Sequence, residues 1–106
     1  MIKLPFSIRS DGKFYNIKIP KALWIALVSV YFNTKPTTTL DYFEVRTQPD
    51  EEMDTLIYRA ENGDYLKDDF VFNPILQPLY GDYIYLRAYS TTTCQVHGWL
   101  GVMLLG

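Results

Sequence analysis

Residues 83–105, YIYLRAYSTTTCQVHGWLGVMLL, give the clearest indication of the fold in this sequence. Side chains alternate strictly over its first seven residues, as they do in a strand with one buried face. The alternation gives one aliphatic face, which consists of Ile84, Leu86 and Ala88. The opposite face is aromatic with one arginine, and consists of Tyr83, Tyr85, Arg87 and Tyr89. A Ser/Thr turn at 90–93 then leads into a second apolar segment at 95–105, so the pattern predicts two antiparallel strands.

Upstream of this stretch the same strand signals recur. Segments of strand composition are 13–19, 23–32, 40–46, 55–60 and the brief 70–72. Asp11-Gly12 and Asn62-Gly63 are the dipeptides that favour tight turns between strands. Seven or eight short strands with turn signals between them predict a single domain over 1–106. The predicted fold is all-β, an antiparallel β-sandwich of the jelly-roll type.

The segment 20–28, PKALWIALV, leaves two interpretations open. Proline suits the first turn of a helix, and the apolar residues after it fit a short buried helix. The β-branched and aromatic residues at 28–32 favour a strand instead. A strand that is apolar on both faces lies at the centre of a sandwich or at an interface with another subunit.

Composition and charge narrow the class of protein. The 106 residues are 48% hydrophobic and 21% charged, which is typical of one globular domain. The longest apolar run is about half of the roughly 20 residues that a membrane helix needs, and no signal-peptide core is present. We therefore expect a soluble chain, made in a host cytoplasm, with no membrane partner. A sequence pI near 5.2 argues against nucleic acid as a partner.

The charges are unevenly distributed along the chain. Residues 1–40 carry six basic residues and one acid, whereas residues 41–69 carry ten acids and three basic residues. This division suits association between copies, with a positive patch facing a negative one. Solvated faces of a single chain are the alternative explanation.

Nothing in the sequence matches a catalytic or metal signature. A single cysteine, Cys94, excludes an intrachain disulfide, and a single histidine, His97, excludes an HExxH motif. Their spacing in a strand puts them on opposite faces, out of reach as a nucleophile–base pair. The acidic clusters at 50–54 and 64–69 do not follow the calcium-loop pattern. We expect no enzyme activity, no metal site and no cofactor.

The candidate site residues are therefore interface residues. From Trp99 onward the last strand is apolar on both faces, so one of them is predicted to meet another subunit. The aromatic face at 83–89 is suited to sugar stacking or to a protein hot spot. The predicted interface set is Trp99, Met103, Leu105, Tyr83, Tyr85, Arg87 and Tyr89.

The C-terminal 41 residues carry a family resemblance. Its elements are Pro78, Gly81, the alternating strand 83–89, the turn 90–93, and the alternate positions Val96, Gly98 and Val102. In this run the chain resembles small jelly-roll proteins of tailed-phage virions, which include head-decoration and auxiliary head or tail components. The resemblance implies a structural role in the virion, assembly as a homotrimer or ring, and a second virion protein as partner. The alternative is a carbohydrate- or receptor-binding sandwich that binds a glycan through the Tyr/Arg face.

Overall fold

The computed structural model describes residues 1–34, 39–61, 69–70 and 74–106. Within these ranges the chain forms nine strands and one 3-10 turn. The strands are β1 (Ile2–Arg9), β2 (Tyr15–Lys18), β3 (Trp24–Thr34), β4 (Tyr42–Arg46), β5 (Leu56–Glu61), β6 (Asp69–Phe70), β7 (Gln77–Pro78), β8 (Tyr83–Tyr89) and β9 (Gln95–Leu105). The 3-10 turn is Met53–Thr55. No helix among the described residues is both long and apolar enough to cross a bilayer.

The strands form two antiparallel sheets. Sheet A has the order β1–β9–β3–β6, with β7 also paired to β3, and sheet B has the order β2–β8–β4–β5. The pairs are nested along the chain, because β1 pairs with β9, β2 with β8, β3 with β6 and β4 with β5. Strand β3 also pairs with β9, and β4 also pairs with β8, so the nested strand pairs are joined into two sheets. This connectivity is a jelly roll, which confirms the predicted all-β sandwich.

Alternating apolar side chains from both sheets form one core. Sheet A contributes a set that includes Leu4, Phe6, Ile8, Ile25, Leu27, Val30, Phe32, Val96, Leu100 and Val102. Sheet B contributes Phe43, Val45, Ala60, Ile84, Leu86 and Ala88. The Phe43 ring centroid lies 5.5 Å from that of Phe6 and 5.2 Å from that of Phe32, so three aromatic rings join the sheets.

The structure decides between the two interpretations of residues 20–28. The strand interpretation is confirmed and the helix interpretation is wrong, because β3 begins at Trp24 and pairs with β9 as far as Thr34. A helix there would leave the backbone groups of β9 without partners on that side. The register shifts between Leu27 and Ser29, and this bulge keeps Leu27 and Val30 both in the core.

Strand β1 was not predicted from the sequence. Its buried residues alternate with exposed ones, but Pro5 interrupts the segment and argues against a strand. Proline is tolerated here because β1 is the edge strand of sheet A, where it pairs on one side only. The predicted turn at Asn62-Gly63 and most of the predicted strand at 70–72 lie outside the described residues.

Candidate functional site

One end of the outer face of sheet A is apolar. The register places Trp24 opposite Leu105 and Ala26 opposite Met103, so the four side chains are neighbours on this face. Trp24, Met103 and Leu105 are 44%, 45% and 44% exposed, respectively. We call these three residues the apolar end of sheet A. Its aromatic and aliphatic side chains are in contact with water on the two central strands of the sheet.

Trp99 lies farther along the same face, between two covering neighbours. Its ring stacks on Tyr31 with centroids 5.3 Å apart and an interplanar angle of 19°. The Nζ of Lys3 lies 4.7 Å from its ring centroid. Because β9 runs between β3 and β1, Tyr31 and Lys3 approach Trp99 from opposite sides. The two faces of the indole are thus occupied within the chain, and Trp99 is half-buried.

The far end of this face is polar. Ser7 Oγ lies 3.0 Å from His97 Nδ1 and accepts a 2.7 Å hydrogen bond from Gln95 Nε2. Ser7 and His97 are directly opposite on β1 and β9, which accounts for their contact as an ordinary cross-strand pair. None of the ion pairs among the described residues involves His97.

Cys94 belongs to a separate group at the start of β9. Its backbone N–H donates to Ser10 Oγ at 2.9 Å, and its Sγ lies 3.5 Å from the same hydroxyl. The Ser10 hydroxyl also contacts Ser90 Oγ at 2.5 Å. These contacts join the end of β1 to the turn between β8 and β9. Cys94 and His97 therefore have different partners, in agreement with their predicted separation.

The outer face of sheet B contains a buried ionic cluster centred on Glu44. The Glu44 carboxylate is fully buried and pairs with Arg46 at 3.0 Å, Arg59 at 2.6 Å and Arg87 at 2.8 Å. Burial alone would raise the pKa of Glu44, but the hydrogen bonds from the three arginines outweigh it and lower the pKa. Arg87 also pairs with Glu51 at 2.9 Å, and these contacts raise its own pKa against the effect of burial.

The same arginines hold the acidic loop (residues 48–55) against sheet B. Arg46 Nη1 donates to the carbonyl oxygen of Glu52 at 2.8 Å and to Thr55 Oγ1 at 3.3 Å. Asp50 Oδ1 accepts from Thr55 Oγ1 at 2.6 Å and from the Glu52 N–H at 3.1 Å. The backbone of the loop is therefore fixed by a buried side chain and by its own turn hydrogen bonds.

Much of the predicted Tyr/Arg face of β8 is occupied within the chain. The Arg87 guanidinium lies 4.4 Å from the Phe14 ring centroid, in addition to its ion pairs. Tyr89 stacks on Tyr42 with centroids 6.1 Å apart. Tyr85 is half-buried, whereas Tyr83 is exposed.

The predicted interface set is therefore divided between the two outer faces of the sandwich. Trp99, Met103 and Leu105 lie on sheet A, and the residues of β8 lie on sheet B. Trp24, on the apolar end, was missed because residues 23–28 are apolar at every position. Such a run does not indicate which side chains face solvent. The Glu44 cluster was also missed, since alternation at 40–46 predicts an outward face without indicating what covers it.

Two of the clefts lined by described residues are relevant to binding. The larger, about 550 Å³, lies between the edge strands β1 and β2, and its lining includes Phe14, Tyr15, Asn16 and Tyr85. The described residues that line it include no carboxylate, imidazole, amine or thiol. The smaller, about 40 Å³, lies beside Tyr80 and the start of β8.

Metal-binding groups do not converge within the described ranges, where no three His, Cys, Asp or Glu side chains are close enough to hold an ion. Asp64 and Asp68 of the second acidic cluster lie outside those ranges. Comparison with known proteins adds no relative, since no protein-family model, curated protein or solved structure matches the chain.

Proposed function

We propose that this chain is a non-catalytic structural protein of a virion, a capsid-decoration or auxiliary head or tail component that works by assembling with copies of itself. The observation that carries the proposal is the apolar end of sheet A. Three large side chains there, Trp24, Met103 and Leu105, are each nearly half exposed and adjacent. A contiguous apolar patch on an otherwise well-packed domain is typical of a protein–protein contact.

The position of the patch suits assembly. It lies on β3 and β9, strands of 11 residues each that pair with each other along almost their whole length. A surface on a paired sheet loses little conformational entropy on binding. Covering the remaining exposed area would contribute on the order of 1 kcal/mol per side chain. Contacts of this strength become stable when several are made at once, as in a ring or on a particle.

The fold and the sequence resemblance support the virion setting. Jelly rolls recur in viral capsid proteins and also in lectins, so the fold alone does not choose between these functions. The aromatic residues help to distinguish them. Sugar stacking needs an open ring face, but both faces of Trp99 and one face of Tyr89 are covered within the chain. The covered rings of Trp99 on sheet A and Tyr89 on sheet B therefore favour a protein partner over a glycan at these two residues.

A carbohydrate- or receptor-binding function is the second candidate, supported by the smaller cleft. Tyr80 and Tyr83 are exposed beside it, and Asp82 and Gln48 contribute hydrogen-bonding groups to its lining. Aromatic rings next to carboxylate and amide groups suit a sugar. The predicted ligand surface was the face at 83–89. This candidate keeps Tyr83 of that face, adds Tyr80 and Asp82, and leaves out Arg87, which is already paired.

Light scattering after size-exclusion chromatography, over a wide concentration range, tests the first candidate. A trimer or a larger ring supports it, and a monomer at every concentration contradicts it. Mass spectrometry of particles purified from cells that encode the chain tests the setting, since a decoration protein should be present in many copies per particle. A glycan array tests the second candidate, with Tyr83→Ala as the variant that should lose any signal.

A further inference from the structure

We propose that the apolar end of sheet A is covered by the acidic loop (residues 48–55) of a second copy, so that copies join head to tail. This inference rests on the proposed function, because it names the surface that meets the apolar end.

The outer face of sheet A is basic. Strands β1, β3 and β9 contain no Asp or Glu, whereas Lys3 and Arg9 lie on their outer side. Lys21 is exposed three residues before Trp24. The ion pairs among the described residues all involve arginines of sheet B, and none includes these three cations. The apolar end is therefore accompanied by positive charge that forms no ion pair within the part of the chain that the structure describes.

The acidic loop presents the complementary surface. Glu52 and Asp54 are exposed, and neither carboxylate takes part in an ion pair among the described residues. Between them Met53 is 78% exposed, on the 3-10 turn at the tip of the loop. An exposed methionine adapts readily to an apolar surface. Met53 and its acidic neighbours are thus complementary in polarity and charge to the apolar end of sheet A and the lysines on that side of the sandwich.

The loop is already ordered before any contact forms. Arg46 binds the Glu52 carbonyl oxygen at 2.8 Å, Arg87 binds Glu51 at 2.9 Å, and Asp50 binds Thr55 at 2.6 Å. Because these bonds fix the backbone, the loop loses little conformational entropy when it docks. The Glu44 cluster then has a role in assembly, because it holds Met53 at the surface in a defined position.

The placement of the two surfaces makes the contact head to tail. The loop packs over sheet B, and the apolar end lies on sheet A, so the two surfaces are on opposite sides of the sandwich. A two-fold contact between apolar ends would instead place the basic residues of two sheet A faces in one interface, with no acidic surface between them. Like charges in apposition disfavour that arrangement. A head-to-tail contact closes into a ring or continues as a filament.

Charge reversal with light scattering tests the proposal. The loop variant carries Glu52→Lys and Asp54→Lys, and the face variant carries Lys3→Glu and Lys21→Glu. Each should weaken association about tenfold or more, since two attractive pairs become repulsive. A chain with all four substitutions should assemble again. An equimolar mixture of the loop and face variants should form only oligomers with an even number of subunits, because the two variants must alternate for every contact to join opposite charges. Asp41→Lys, which reverses an exposed acid outside the loop, should leave assembly unchanged.

The outcomes separate this inference from the function on which it rests. If the wild-type chain assembles but neither reversal nor added salt weakens the oligomer, the loop does not cover the apolar end and the inference is overturned. The assembly function then stands, with another surface as the partner. If the wild-type chain is monomeric at every concentration, both proposals fail. A melting curve of each variant shows that the substitutions leave the fold intact.

Discussion

Glu44 on β4 and Arg87 on β8 lie directly opposite each other, and their charged groups are joined at 2.8 Å with the carboxylate fully buried. The pair lies on the outer side of sheet B, where a carboxylate would ordinarily be hydrated. Arg46, Arg59 and the acidic loop exclude water from it. A buried ion pair adds little stability by itself, but removal of one partner leaves an uncompensated charge.

Glu44→Gln should therefore lower the free energy of unfolding by about 3–5 kcal/mol, because three arginines lose their shared anion. Urea denaturation measures this change. Glu61→Gln is the matched control, since Glu61 pairs with Arg59 at the exposed edge of the same cluster and should cost about 0–1 kcal/mol. Equal losses in the two variants would contradict the role of Glu44 as the centre of the cluster.

The stability of the protein should fall at acid pH. The folded-state pKa of Glu44 is lowered from its usual 4.5, so Glu44 contributes stability above that value and loses it as the pH falls through the folded-state pKa. Asp11 acts in the same direction, because burial is outweighed by the Tyr15 hydrogen bond at 2.7 Å together with the hydrogen bond from the Lys13 N–H and the Lys13 charge, so that its pKa is lowered. Urea denaturation at a series of pH values should show a slope below about pH 4.5. That slope should be smaller in Glu44→Gln, and an identical slope would assign the acid sensitivity to other carboxylates.

Met103→Glu should abolish or strongly weaken assembly without lowering the melting temperature of the monomer, compared at concentrations at which the wild type is also dissociated. Met103 is 45% exposed on the apolar end, so a charge there stays hydrated in the monomer but must be desolvated in a contact. Light scattering and thermal melting measure the two effects separately. Met103→Leu preserves the apolar surface and should assemble like the wild type. Assembly that survives Met103→Glu would remove the apolar end from the interface.

Gly98→Ala should destabilise the fold strongly, whereas Gly81→Ala should have little effect. A Cβ at Gly98 would clash with the Tyr31 carbonyl oxygen and lie 2.9 Å from Cζ of Phe6, while a Cβ at Gly81 meets nothing within 4 Å. The β3–β9 pair would have to separate to accept the methyl group. Thermal melting of the two variants checks this difference. Similar melting temperatures would show that the strands yield at little cost.

The C-terminal strands could be predicted closely from the sequence. The bounds of β8 and β9 agree with the alternating segment at 83–89 and the apolar segment at 95–105. Period-2 alternation and turn residues are local signals, and a strand with one buried face carries them in its own sequence. Strand β1 was missed because Pro5 is also a local signal, and only its edge position makes the proline harmless.

The candidate surfaces were predictable only in part. Strand alternation and turn residues were enough to predict an all-β sandwich, and the apolar residues of 95–105 were enough to predict that β9 has two apolar faces. Only the tertiary structure decided that Val102 packs into the core while Met103 faces solvent, because alternation does not tell which side another sheet will cover. The contact between Arg87 of β8 and Glu44 of β4 also depends on the tertiary structure. The two residues are 43 positions apart in the chain and meet only because their strands pair.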